Sequence, residues 1–254
     1  MLKNKNFSLA FYLFILGISG ILSLLLVPFN AEVLPDEAKK IILSKFTEFQ
    51  LRILSLINPT ILLLFSLLIG FWVNKDKYQF SYFYSYISKV GLKSGFFYFL
   101  GTGIIYGLVF SVIVRTLYIP FDNTEEILLL EKKSPAIPLI TKLLYGGITE
   151  EIITRWGWLS LLFYITNKLF KKKKISYILA IALSSLIFAI GHLPIVYQNL
   201  GTSSVSTFIV LYIVSFNTFL GIVFGYLFVK FNIETAIFAH ISFHLFLFLI
   251  NILI

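Results

Sequence analysis

The sequence predicts an all-α protein, a polytopic bundle of about seven transmembrane helices. Its 254 residues are 58% hydrophobic and only 13% charged, whereas a soluble domain is about 25% charged. A helix needs about 20 apolar residues to cross a hydrocarbon core about 30 Å thick. Windows of that length without Asp, Glu, Lys or Arg recur along the chain. We therefore expect an integral membrane protein.

Seven spans follow from these windows and from one charged segment, and six to eight spans fit the same pattern. The first span exceeds the 7–15 apolar residues of a signal peptide, so we expect a retained helix. Pro194 and Gly201, in "PIVYQNLGTSSVST", predict a break between the fifth and sixth spans. The predicted spans are residues 7–28, 53–73, 94–114, 137–165, 175–195, 205–229 and 234–253.

The charge pattern predicts an orientation in the membrane. The net charge of +9 would also suit a nucleic-acid partner, but the lysines lie in short loops between spans. The loop 75–93 carries four lysines and the loop 168–174 carries five. Positive loops stay in the cytoplasm, so we expect a cytoplasmic N-terminus, membrane lipids as partners and no nucleic acid. The absence of cysteine excludes disulfides and thiol catalysis.

The fourth span contains "GGITEEIITRW", residues 146–156, with three charges at membrane depth. Each such group costs at least about 2.5–3.5 kcal/mol on insertion scales. Glu151 and Arg155 stand four residues apart with the acid first, which is the favourable order for a helical ion pair. Glu150 lies about 100° around the helix and lacks an obvious partner. In an alternative interpretation, both acids share Arg155 as a structural cluster.

All three histidines also lie in predicted spans, His192 in the fifth and His240 and His244 in the seventh. The last two share one helix face, so three spans present polar faces that could meet in one pocket. Without cysteine or a serine-elbow motif, water is the remaining nucleophile, which favours a hydrolase. Counted from the span ends, however, His240 lies roughly 10 Å deep and His192 roughly 25 Å.

The imidazoles have three possible roles beside an activated water. They can orient it, donate to an oxyanion or bind a divalent metal such as zinc. The candidate metal ligands are Glu150, His192, His240 and His244. The zinc motif H-E-x-x-H does not occur, so the metal remains an open possibility.

The motifs together resemble those of a known family. The motifs are Glu150-Glu151-x-x-x-Arg155, then Phe188-x-x-x-His192, then His240 with a polar residue four positions later. The order of the motifs resembles the three-motif signature of the CAAX prenyl endopeptidase and bacteriocin-immunity family, also called Abi or CPBP intramembrane proteases. The resemblance covers roughly residues 137–254, which implies a CPBP/Abi-like catalytic core there. Residues 1–136 would add transmembrane helices without a recognised motif.

The resemblance implies a glutamate-dependent intramembrane endopeptidase that hydrolyses a peptide bond of a membrane-associated or lipidated, CAAX-type protein or peptide. Glu150 would activate water and His192 would help to hold it. His240 and the residue four positions later would stabilise the oxyanion, with Glu151 and Arg155 as a structural ion pair. Some members are named metalloproteases, which leaves a metal cofactor open.

This chain departs from the family pattern at two positions. The family usually has Asn or Asp where this chain has His244, and a neutral histidine can still donate one hydrogen bond. The family commonly has Gly directly after Arg155, where this chain has Trp156. The first departure bears on the oxyanion site and on metal binding, and the second bears on packing.

Two further functions fit the same residues. A non-catalytic bacteriocin-immunity or partner-binding membrane protein could use them as a structural polar network. Proton-coupled transporters also carry intramembrane Glu and His, but the chain shows no two matching halves. The Lys-, Ile-, Asn- and Phe-rich composition is typical of an AT-rich bacterial genome, so we expect a bacterial cell membrane.

Overall fold

The computed structural model describes residues 2–29, 36–74, 81–88, 95–121, 124–201 and 204–253. All regular secondary structure in these ranges is helical, which confirms the all-α prediction. The principal helices are α1 (Leu2–Ser23), α2 (Asp36–Lys45), α3 (Glu48–Ser55), α4 (Ile57–Val73), α5 (Tyr82–Ser88), α6 (Phe96–Tyr118), α7 (Glu125–Lys133), α8 (Leu139–Thr141), α9 (Ser160–Phe170), α10 (Lys173–Ile190), α11 (Leu193–Leu200), α12 (Thr207–Lys230) and α13 (Ile233–Leu253).

Six helical segments of the described chain are long and apolar enough to cross a membrane, which agrees with six of the predicted spans. The remaining predicted span, the fourth (137–165), corresponds to a continuous helical segment over 139–170, which we call the motif helix. It is not among the six, and it carries Glu150, Glu151 and Arg155 close together. The six segments are Phe7–Leu26, Glu48–Val73, Phe96–Phe121, Lys173–Leu200, Thr207–Lys230 and Ile233–Leu253.

The predicted break between the fifth and sixth spans is present, at Gly201 rather than at Pro194. Pro194 lies in the first turn of α11, where a missing N–H costs nothing because first-turn N–H groups have no helical partner. The chain turns earlier, at Gly191 and His192. It leaves α11 at Gly201, which has a φ of 79°, a conformation that favours glycine.

Small residues bring α6 and α13 into close contact. A Cβ added to Gly103 would lie 2.6 Å from Phe238 Cβ, and one added to Gly107 would lie 2.5 Å from Ser242 Cβ. Ser111, four residues further along α6, is also buried. Small residues at a spacing of four let membrane helices pack backbone against backbone, so α6 supports the helix that carries His240 and His244.

The N-terminal helices pack against the motif helix and share its hydrophobic core. Thr149 Oγ1 donates a hydrogen bond to the Gly17 carbonyl of α1 at 2.7 Å. On α4, Phe71 packs edge-on against the fully buried Trp156, with ring centroids 5.2 Å apart. Helices without a motif therefore fix the position of the motif helix, while the division of the chain at residue 137 stays a prediction.

The orientation of the bundle stays a prediction as well. The four lysines of the loop 75–93 lie outside the described residues. The five lysines of the loop 168–174 are exposed around the turn between α9 and α10. Lys171 ends α9 there in the left-handed conformation, with a φ of 52°.

Candidate active site

The motif helix contains two π-helical stretches, Lys142–Glu150 and Ile152–Leu159, joined at Glu151. In a π-helix the hydrogen bonds run from i to i+5, so each turn is wider than in an α-helix. Such turns are rare and frequently occur at functional sites. Here they span both glutamates and the arginine, which changes the directions of these side chains from those expected on an α-helix.

Glu151 is the centre of a buried hydrogen-bonded network. Its carboxylate accepts from Arg155 Nε at 3.0 Å and from Nη2 at 3.5 Å. His240 Nδ1 lies 2.9 Å from Glu151 Oε1. Glu151 and Arg155 have no solvent exposure, and the His240 ring is also buried. The network joins the motif helix to α13 and is sealed from the surroundings.

Glu150 differs from its neighbour in almost every respect. Thr154 Oγ1 donates to the Glu150 backbone carbonyl at 2.6 Å, but the Glu150 carboxylate has no hydrogen-bond or ion-pair partner among the described residues. Its interactions with Glu151 and Arg155 are electrostatic only. Glu150 is also partly exposed. It is the carboxylate of the motif that remains free to act on another molecule.

His192 lies in the turn between α10 and α11, held by Phe188. The ring nitrogen Nδ1 lies 2.9 Å from the Phe188 carbonyl oxygen. Because a carbonyl oxygen only accepts, Nδ1 carries the hydrogen, and Nε2 remains available as an acceptor. The two rings pack edge to face, with centroids 4.6 Å apart. The Arg155 guanidinium lies 5.7 Å from the Phe188 ring centroid, so Phe188 links the first two motifs.

His240 stacks between Phe224 and His244. Its ring centroid lies 4.5 Å from that of Phe224 and 4.8 Å from that of His244. His244 in turn lies against the motif helix, because a Cβ added to Gly146 would lie 2.9 Å from His244 Nε2. Only glycine at position 146 leaves room for this ring.

The structure links the three histidines through contacts. His192 packs on Phe188, whose ring lies beside Arg155, and the Arg155–Glu151 pair holds His240, which stacks on His244. The depth difference of about 15 Å expected from the span ends is therefore wrong. That estimate assumed helices perpendicular to the membrane and starting at one level, whereas membrane helices tilt by angles that span length does not set.

Metal binding by Glu150, His192, His240 and His244 stays a prediction. A zinc ion needs ligand atoms that converge on one point. The planes of the His240 and His244 rings lie 25° apart. His240 Nδ1 is also occupied by Glu151. In the part of the chain that the structure describes, no three His, Asp or Glu side chains are grouped closely enough to hold a metal.

Sequence reasoning missed a second buried carboxylate, Glu234, in the first turn of α13. It accepts hydrogen bonds from Ser81 Oγ at 2.7 Å, Tyr82 N at 2.8 Å and Phe83 N at 3.1 Å. The carboxylate thus binds the start of α5, a segment 150 residues earlier in the chain. Its place at the edge of a predicted span was the one available signal, and an edge position indicates the interface.

Comparison with known families connects this geometry to a class of proteins. Residues 132–246 match the family model described as Type II CAAX prenyl endopeptidase Rce1-like. The part of the chain that carries all the motifs is thus similar to the CAAX endopeptidase family. This confirms the resemblance drawn from the motifs, and with it the hydrolase and protease class. No curated protein and no solved structure matches the chain.

The match covers a little under half of the chain, and it includes every candidate site residue. Glu150, Glu151 and Arg155 lie near its start, His192 near its middle, and His240 and His244 at its end. Similarity to the CAAX endopeptidase family does not by itself assign a role to any of them. Those roles depend on the geometry above.

Proposed function

We propose that this protein is a glutamate-dependent intramembrane endopeptidase in which Glu150 is the general base. One observation carries the proposal: of the two adjacent glutamates, Glu151 is fully paired and sealed, whereas Glu150 is unpaired among the described residues and partly exposed. A membrane protein places an ionisable group at such depth for a partner or for a function. Glu151 has the partners, which leaves the function to Glu150.

Glu150 would begin the reaction by taking a proton from a bound water. His192 Nε2 is placed to accept the second hydrogen of that water, because Nδ1 is already committed to the Phe188 carbonyl. The water oxygen then attacks the carbonyl carbon of the scissile peptide bond and forms a tetrahedral oxyanion. When the C–N bond breaks, the amine leaves with the proton that Glu150 had taken. The other product is a carboxylic acid, which transfers its proton to the released amine, so that the final products are a carboxylate and an ammonium group.

His240 and His244 would stabilise the oxyanion. Donation from His240 Nε2 requires a ring that carries both protons, and the Glu151 carboxylate at Nδ1 is placed to balance that charge, as the acid of a catalytic triad does. Arg155 then holds Glu151 in place. His244 supplies the second donor from the position where the family usually has Asn or Asp. No step in this mechanism passes through a metal.

The substrate we propose is a membrane-associated or lipidated protein or peptide of the CAAX type. The bundle exposes apolar side chains along its membrane-spanning helices, so a lipid-anchored segment can approach the site without leaving the bilayer. The competing function, a non-catalytic immunity or partner-binding protein, would use the Glu151–Arg155–His240 network for structure and would leave Glu150 without a chemical role.

The test uses the full-length protein purified in detergent and a fluorogenic peptide that carries a lipidated cysteine. We expect cleavage by the wild type and at least about a hundredfold loss of kcat in Glu150→Gln, because general bases contribute about 10²–10⁴-fold. Glu131→Gln, an exposed glutamate on α7, is the matched control and should remain active. Each protein is also assayed with a chelator, and we expect activity to persist.

Three results would contradict the proposed mechanism. Full activity in Glu150→Gln would show that another group activates the water. Absence of cleavage by the wild type, combined with an immunity phenotype that Glu150→Gln retains in cells, would favour the non-catalytic function. Loss of activity with the chelator, restored by added zinc, would place a metal in the mechanism.

A further inference from the structure

Phe224 on α12 is a fully buried ring that the proposed mechanism does not use. The chain contains 28 phenylalanines, so nothing in the sequence distinguishes this one. Its ring is stacked on that of His240, with the two centroids 4.5 Å apart and the two planes 23° apart. Because His240 is the histidine that binds Glu151, Phe224 contacts the candidate active site directly.

Close packing fixes the position of the Phe224 ring. The ring lies edge-on against Phe243 of α13, with centroids 6.3 Å apart. Within one turn of Phe224, α12 approaches α10 closely at Gly221, where an added Cβ would lie 2.8 Å from Ser185 Cβ. Tightly packed interiors leave side chains little room to shift, so Phe224 keeps its place against His240.

Contacts cover both faces of the His240 ring and one of its two nitrogens. Phe224 and His244 stack on the ring from two different helices, and Nδ1 is bonded to Glu151. The stacked neighbours keep the ring from tilting, and the hydrogen bond keeps it from rotating. Nε2 has no hydrogen-bond partner among the described residues, and it is therefore the atom with which His240 can meet a substrate.

The stacking bears on the charge that His240 carries in the proposed mechanism. Donation from Nε2 while Nδ1 is bonded to Glu151 requires a ring with both protons, and such a ring is a cation. The face of a phenyl ring carries the negative part of its quadrupole and attracts a cation within about 6 Å of the centroid. The His240 ring lies within that distance, in a buried site where little water screens the attraction.

We propose that Phe224 is a positioning residue, whose ring face orients His240 and stabilises the positive charge that His240 carries when it donates to the oxyanion. This inference rests on the proposed function. A phenylalanine that only fills the core would contribute volume and apolar contact, which other apolar side chains supply as well. The two roles differ in one property, because only the first depends on the electron density at the face of the ring.

The experiment changes that electron density with little change in shape. Fluorine withdraws electrons from the ring face, so Phe224 is replaced in the full-length protein by 4-fluoro-, 3,5-difluoro- and 3,4,5-trifluorophenylalanine. The same series at Phe163 is the matched control, because this buried ring also stacks face to face, on the neutral ring of Tyr177 with centroids 4.0 Å apart. All proteins are assayed in detergent with the lipidated fluorogenic peptide.

We expect kcat to fall stepwise with each fluorine at Phe224, by about tenfold in total for the trifluorinated ring, which corresponds to about 1.4 kcal/mol. That loss lies within the range of desolvated cation–π contacts. KM should stay the same, because His240 acts on the oxyanion and not on the bound substrate. The temperature of thermal unfolding should also stay the same, and the Phe163 series should change neither kinetic constant.

Phe224→Leu, which removes the ring and its quadrupole together, should lose at least as much kcat as the trifluorinated variant. Equal kcat across the fluorinated Phe224 series, with a loss confined to Phe224→Leu, would leave packing as the only role and overturn the inference. The same stepwise loss in the Phe163 series would also overturn it. In either case, Glu150-dependent cleavage in the same assay would leave the proposed function standing, whereas its absence would remove both.

Discussion

The Glu151–Arg155 ion pair can be tested quantitatively, because the same protein carries a second Glu–Arg pair with the same spacing on its surface. Glu48 and Arg52 also pair at i and i+4, but their side chains are 56% and 28% exposed. Glu151 and Arg155 are both 0% exposed. The two pairs share residue types, order and sequence spacing. They differ mainly in burial, and also in the π-helical turns and the His240 contact of the buried pair.

Removing one partner of the buried pair should destabilise the protein by about 3–5 kcal/mol, because it leaves an uncompensated charge. In Arg155→Met, the Glu151 carboxylate keeps only His240 as a partner. In Glu151→Leu, the Arg155 guanidinium loses its carboxylate, and its Nη1 already lacks a partner among the described residues. We expect both single variants to unfold far more readily than the wild type.

The double variant Glu151→Leu/Arg155→Met should be much less damaged than the sum of its parts. Neutral apolar side chains leave no buried charge, and the remaining loss is the acceptor for His240 Nδ1, about 1–3 kcal/mol. The singles together predict about 6–10 kcal/mol, so the coupling energy should be at least about 3 kcal/mol. The same substitutions at Glu48 and Arg52 should show coupling close to zero, because exposed pairs are screened by solvent.

Equilibrium unfolding in mixed detergent micelles, followed by circular dichroism, measures all four stabilities of each cycle. Additive effects of the Glu151 and Arg155 substitutions would refute the assignment of these residues as a buried ion pair. Coupling of equal size in the surface cycle would also refute the reasoning, because burial would then not be the cause. Peptide cleavage by the double variant adds a second readout, since a misplaced His240 should lower kcat even where stability is regained.

Two further predictions concern close contacts that the sequence alone does not reveal. Gly146→Ala should lower kcat at least about tenfold with little loss of stability, because the added methyl group displaces the His244 ring. Gly101→Ala, where an added Cβ meets nothing within 4 Å, is the control, and equal activity of both variants would contradict the role of His244. Glu234→Ala should leave three hydrogen-bond donors of residues 81–83 without their acceptor, at about 1–3 kcal/mol for each buried donor. Relative to the wild type, amide hydrogen exchange in Glu234→Ala should increase more in α5 than in α6. Unchanged protection of α5 would contradict the role of Glu234 in holding this helix.

Much of the candidate site was predictable because its chemistry conflicts with its surroundings. Charged and imidazole side chains within apolar spans are costly, so Glu150, Glu151, Arg155 and the three histidines stand out without any structure. Helical spacing also predicted which glutamate pairs with Arg155, since that interaction is local to one helix. Glu234 did not stand out, because a carboxylate at the edge of a span is indistinguishable in sequence from one that reaches water.

The sequence by itself determined the class of the protein, its helical spans and the set of candidate site residues, because hydropathy and i,i+4 spacing are local properties of the chain. Only the tertiary structure decided which residues meet. Helix tilt and packing between distant segments decided four features of the site. These are the π-helical turns, the hydrogen bond between Glu151 and His240, the contact of His244 with Gly146, and the proximity of His192 to the other histidines. Those depend on contacts among many side chains at once, which no short stretch of sequence contains.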